Sequence, residues 1–134
     1  MTRQRFEPIA DKCAEIVEFI MSSPDIPSSN DLEFKIRLCA EEAVENIVRY
    51  AYENGAGYLE VSIDTIDGDT LRIELIDSGK PFDPLAKPDP DITLSLEERQ
   101  IGGLGIFLCK QMMDKLEYRY ENGCNIFTMQ KKTV

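Results

Sequence analysis

Glu42 and Asn46, in the stretch EEAVEN, stand four residues apart, so on a helix they share one face, one turn from each other. An asparagine carbonyl is a hard, neutral oxygen suited to magnesium. That ion takes few protein ligands and completes its octahedron with waters and phosphate oxygens. A carboxylate one turn away can take the proton of an attacking hydroxyl or water. The plainer reading is a solvated helix face, because E-x-x-x-N recurs by chance. Asp77, in IELIDSGKPFDP, closes an apolar strand, and Gly79 follows two residues later. A carboxylate can accept the exocyclic amino hydrogen of an adenine, and a glycine lets a base approach the backbone. The plainer reading there is a strand-terminating turn. Gly102, Gly103 and Gly105, with Leu104 between them, precede and enter a third apolar segment. Unpaired N–H groups at a helix start, with the positive end of the helix dipole, suit a polyphosphate that comes close where no Cβ intervenes. The plainer reading is a hinge or a close-packed helix entry.

The composition narrows the chemistry. The 134 residues are 43% hydrophobic and 30% charged, enough for one domain, 1–134, with a core of its own. A net charge of −10 leaves no basic stripe for a nucleic-acid backbone. An anionic ligand would therefore be met by backbone N–H groups or a metal ion. The chain has no histidine, which excludes a histidine nucleophile, base, metal ligand or phosphoacceptor. Cys13, Cys39, Cys109 and Cys124 form no C-x-x-C pair and read as buried thiols of a reducing, cytoplasmic setting. No apolar run reaches the length of a membrane span, and the first residues do not resemble a secretion signal.

Elements that would position these residues follow from periodicity. Ile9, Cys13, Ile16, Val17 and Ile20 recur at helical spacing. A second helix begins after Ser29 or Asn30 and runs to Asn54–Gly55, with Phe34, Leu38, Ala40, Ala43, Val44, Ile47 and Ala51 on its apolar stripe. Leu59, Val61 and Ile63 alternate with polar residues. Leu71, Ile73 and Leu75 do the same beyond an Asp-Gly turn, which makes a hairpin. The proline-rich stretch Lys80–Gln100 reads as a loop of about twenty residues, a length that usually serves function. Leu104–Leu116 reads as a helix burying Leu104, Ile106, Phe107, Leu108, Met112 and Met113, and a hairpin around Gly123 closes the order. The expected fold is α+β: a two-layer sandwich with helices on one face of a mixed sheet.

The motifs E-x-x-x-N, D-x-G, long loop and G-x-G, in that order, resemble the GHKL or Bergerat ATP-binding fold shared by histidine kinases, gyrase and MutL. DSGKPFDP and GGLGIFLCKQMMDKLEYRYENGCNIFTMQKK further resemble the stand-alone anti-sigma factor serine kinases, the RsbW and SpoIIAB group. The resemblance runs from about Asp31 to Lys132. It implies that Glu42 is a general base and that Asn46 binds magnesium beside ATP. It implies that Asp77 binds adenine with Gly79 next to it, and that Gly102, Gly103, Leu104 and Gly105 line the phosphate turn. Lys80–Gln100 becomes an ATP lid whose Arg99 reaches the γ-phosphate. Departures are Tyr50, where the family often has histidine, and Gly79-Lys80-Pro81 in place of G-x-G. The family's N-terminal strand is short or missing before Phe6.

The resemblance implies a protein serine/threonine kinase acting on an anti-sigma factor antagonist of the STAS type. It implies that the chain also sequesters a sigma factor, and that it forms a homodimer. It implies no direct contact with nucleic acid or membrane. Three alternatives stand beside it: a module that uses ATP as a switch without phosphotransfer, a fragment of a two-component histidine kinase, and an acidic α+β domain with accidental motifs. The absence of histidine and of dimerisation helices argues against the second of these.

Overall fold

The computed structural model describes residues 2–52, 57–86 and 103–133. Strand β1 (Thr2–Phe6) leads through a 3-10 turn at Ala10–Lys12 into helix α1 (Cys13–Met21), and helix α2 (Asn30–Tyr50) follows. Strands β2 (Leu59–Ile66) and β3 (Thr70–Asp77) form a hairpin. Helix α3 (Gly103–Met112) and a second hairpin, β4 (Lys115–Glu121) and β5 (Cys124–Lys132), complete the described chain. One five-stranded sheet runs β1-β2-β3-β5-β4, and the helices pack on one of its faces.

The two-layer α+β sandwich matches the expectation. Its sheet does not match in strand direction: expected as mixed, it has only antiparallel ladders among the described residues. The cause is that each described connection either is a hairpin or carries the chain back along a neighbour in the opposite sense. Strand β1 also departs from the expectation of a short or missing strand before Phe6. Thr2–Phe6 pairs with Leu59–Ile63 in full register. Its burial alternates poorly, since Arg3, Gln4 and Arg5 are all exposed, so periodicity did not mark it.

Alternation places the core. Leu59, Val61 and Ile63 of β2, with Leu71, Ile73 and Leu75 of β3, are fully buried on the helix-facing side, where Phe127 and Met129 of β5 join them. Ile16, Val17 and Ile20 of α1 and Ile36, Cys39, Ala40, Ala43 and Val44 of α2 cover that side. On the opposite face charges pair, as where Arg72 grips Asp64 through two bonds of 3.0 and 2.6 Å. Both hairpins turn as their residues require: Asp67 and Gly68, like Asn122 and Gly123, hold positive φ.

Ser29 caps α2, its hydroxyl accepting from the Leu32 N–H at 3.5 Å, and Asp31 and Glu33 fill the first turn where the dipole favours them. The helix ends at Tyr50, short of the expected Asn54–Gly55, which lies outside the described residues. Phe34, expected on the buried stripe, is 62% exposed, because the stripe is set by Ile36, Cys39 and Ala40 and Phe34 falls off its edge. α3 is shorter than expected at its C-terminal end: Leu116 belongs to β4, and Leu108 faces outward. Cys39 and Cys109 are buried as expected, whereas Cys13 and Cys124 are half-buried; all four are free thiols.

Candidate functional site

Strand parity carries a carboxylate into the interior. Leu71, Ile73 and Leu75 face inward, so Asp77, the next residue of that parity, does too, and it is 2% exposed. The same parity carries Asn125 inward ahead of Phe127 and Met129, and the β3–β5 register sets Asn125 directly opposite Asp77. The Asn125 amide donates to Asp77 Oδ1 at 2.8 Å, and the Gly79 N–H donates to the same oxygen at 2.9 Å. Asp77 Oδ2 accepts no hydrogen bond among the described residues. Burial raises the Asp77 pKa above the ordinary carboxylate range, and the bonds from Asn125 and Gly79 pull the other way.

Asp77 and Asn125 form the floor of a pocket whose walls are mainly apolar, among them Ala43 and Ile47 of α2, Ile106 of α3 and Phe127 of β5. Asn46 lines the same pocket from α2. It is 7% exposed, and no hydrogen bond to its amide occurs among the described residues. An amide that lines a pocket can present its oxygen or its NH₂ to a ligand there. Phe82 forms the lip and stacks on Tyr50, with ring centroids 5.0 Å apart. That stacking gives Tyr50, the departure from the family's histidine, a structural purpose.

One turn towards the start of α2, the half-buried Glu42 carboxylate lies against Gly105 in the first turn of α3. A Cβ on Gly105 would occupy the space of the carboxylate itself. Burial raises the Glu42 pKa, the neighbouring Glu45 raises it further, and Arg49 opposes both. Two carboxyls held above their ordinary range in one region cost stability when ionised. This is a common mark of a site arranged for chemistry.

Gly79 also has a structural reason of its own. A Cβ there would collide with the carbonyl of Ala51 at the end of α2, where the Lys80 N–H also bonds to the Ala51 carbonyl at 3.1 Å. The obstacle is backbone and cannot swing aside. Gly79→Ala should therefore destabilise the fold by about 1–3 kcal/mol, as overpacking does. Denaturant unfolding checks this, and an unchanged midpoint would contradict it.

The structure thus brings Asn46 and Asp77 into one pocket and Glu42 against Gly105. Gly103 and Leu104 open α3 by their backbone. Arg99, Gly102 and residues 87–100 of the expected lid lie outside the described residues. Three residues escaped the sequence reading: Asn125, Tyr118, whose hydroxyl donates to Asn125 Oδ1, and Tyr52. The Tyr52 hydroxyl accepts from the Ser78 N–H at 2.8 Å and donates to the Tyr58 carbonyl at 2.7 Å, pinning the strand end beside Asp77. Inward parity with Phe127 and Met129 marks Asn125 as buried, but only the β3–β5 register makes it the partner of Asp77.

Residues 10–131 match the family described as the histidine kinase-like ATPase domain. The serine/threonine-protein kinase BtrW of Bordetella bronchiseptica is 33% identical over 101 residues, covering 73% of this chain and 69% of that one. An anti-sigma F factor of a Thermoanaerobacter species is 35% identical over 83 residues, covering 61% of this chain and 57% of that one. Among solved structures, the histidine kinase domain of the Erythrobacter litoralis EL346 blue-light activated histidine kinase superposes with a TM-score of 0.62. The identity is 14%, with 90% of this chain and 57% of that chain covered. The match therefore spans little more than half of two of these three proteins. No described helix is long and apolar enough to cross a membrane.

Proposed function

The chain belongs to the histidine kinase-like ATPase domain family, and from that membership we propose that it is a protein serine/threonine kinase of the anti-sigma type. ATP is its phosphate donor and a small antagonist protein of the STAS type its substrate. The observation that carries the reading is the pocket itself, with Asp77 Oδ2 at its floor and the Asn46 amide on its wall. In this reading the adenine amino group donates to Asp77 Oδ2 while the ring lies between Ala43, Ile47 and Ile106. The phosphates run along α2 towards Glu42 and the N–H groups of Gly102, Gly103, Leu104 and Gly105. The whole chain, 1–134, acts as one domain, with residues 80–100 as its lid and Arg99 reaching the γ-phosphate.

The residues present suit magnesium. Asn46 Oδ1 is one hard oxygen, and no cluster of three or more ligating side chains occurs among the described residues. The ion would therefore arrive with waters and phosphate oxygens. When bound it offsets phosphate charge. Glu42 takes the proton of the serine hydroxyl, its raised pKa making it a stronger base than an ordinary glutamate. A phosphate added to the antagonist places about −1.5 to −2 charges in its interface and separates it from this acidic chain. By likeness to the anti-sigma F factor, the chain also holds a sigma factor; a homodimer working in the cytoplasm completes the reading.

The test is calorimetry with magnesium-ADP, followed by incubation of labelled ATP with candidate antagonists from the same genome. Nucleotide heat and label on an antagonist serine are expected. No heat with either nucleotide would defeat the reading. Heat without label would leave a nucleotide-switched binding module instead.

A further inference from the structure

We propose that Asn125 is the positioning residue that makes the Asp77 pocket select adenine, a role that rests on the nucleotide reading above. Each hydrogen-bonding capacity of its amide is used. Nδ2 donates to Asp77 Oδ1 at 2.8 Å and to the Lys80 carbonyl at 2.9 Å. Oδ1 accepts from the Phe82 N–H at 3.1 Å and from the Tyr118 hydroxyl. With two donors and two acceptor positions filled, the amide has one orientation. A flip would set its oxygen against the Asp77 carboxylate and the Lys80 carbonyl, acceptor on acceptor.

That fixed orientation decides what Asp77 can do. Asn125 and the Gly79 N–H occupy Oδ1, so Oδ2 is the oxygen left for a ligand. A charge-assisted bond from Asn125 also favours the ionised carboxylate, which only accepts. An accepting oxygen matches the amino group of adenine and repels the carbonyl that inosine carries at the same place. The same amide holds Lys80 and Phe82, the first residues after the strand, and so keeps the pocket's lip in register with its floor. Asn125 is 5% exposed, and it is argued to act through Asp77 and not on the base.

Titrating wild type, Asn125→Leu and Asn125→Asp with magnesium-ADP and magnesium-IDP tests this, with thermal unfolding run alongside. Wild type should prefer ADP by about tenfold or more, as loss of a charged hydrogen bond predicts. In Asn125→Leu, Asp77 keeps only the Gly79 N–H and loses the second donor that fixes its pose. ADP should weaken by about ten- to a hundred-fold, with IDP nearly unchanged. Asn125→Asp keeps the shape and serves if the leucine variant fails to fold. Its two facing carboxyls share one proton, so Asp77 can present a donor as well as an acceptor and the preference should again collapse. A folded variant that keeps the wild-type ratio overturns the proposal, even if both affinities fall together. A wild type that binds both nucleotides equally overturns it too. A wild type that binds neither overturns the nucleotide reading as well, and that outcome shows before any variant is compared.

Discussion

Glu42→Gln should transfer phosphate to an antagonist serine at least ~100-fold more slowly than wild type, since a positioned base contributes about 10²–10⁴-fold. ATP affinity should hold or rise slightly. The glutamine has the size of the glutamate and fills the same space against Gly105, so the contact between α2 and α3 survives. What disappears is a negative charge at the helix start where the phosphates are proposed to rest, and its loss cannot weaken an anion. The basicity also disappears, and with it the acceptor for the hydroxyl proton. Single-turnover transfer from labelled ATP, with affinity measured separately, distinguishes the two effects. Transfer at the wild-type rate would remove Glu42 as the base and leave the nucleotide pocket intact.

Asp77→Asn should weaken ADP by about ten- to a hundred-fold, the value of a buried hydrogen bond to a charged group. The geometry leaves the new amide no good solution. If its oxygen keeps the bonds from Asn125 and the Gly79 N–H, its NH₂ takes the place of Oδ2 and points a donor at the adenine's donor. If it flips, the NH₂ meets those two donors and the floor of the pocket loses both bonds. Calorimetry of the variant, with its unfolding midpoint checked, gives the answer. Wild-type affinity for ADP would mean that Asp77 does not read the base.

How far the site was legible depends on how locally each residue is placed. Asp77 could be read from its own strand, because the inward row Leu71, Ile73, Leu75 extends to it by parity. Glu42 and Asn46 needed only the helix repeat. Asn125 needed a ladder between strands whose opposed residues are 48 apart, and no periodicity states which strand pairs with which. The reach of α2 was overestimated for a related reason: Ala51 is buried and continues the stripe, but its carbonyl is engaged by Lys80, and α2 ends at Tyr50. Strand direction was misjudged because the motif order alone does not distinguish a crossover from a reversal. β1 went unread because exposed arginines fill its centre.

The separation of Asp77 from Asn125 also has a meaning in time. A chain made at about 5–20 residues per second needs roughly 2–10 s to reach Asn125 after Asp77 has been added. A hairpin such as β2–β3 closes in about 1–10 μs. For seconds, then, the nascent hairpin has its β3 edge bare and its inward row of Leu71, Ile73 and Leu75 without the strand that will lie beside it, which is a hazard for pairing with another chain. Glu42, Asn46 and Asp77 are all present by then, with no floor joining them. The arrival of β5 closes the exposed edge and sets Asn125 opposite Asp77, so protection of the edge and completion of the pocket floor come in one step.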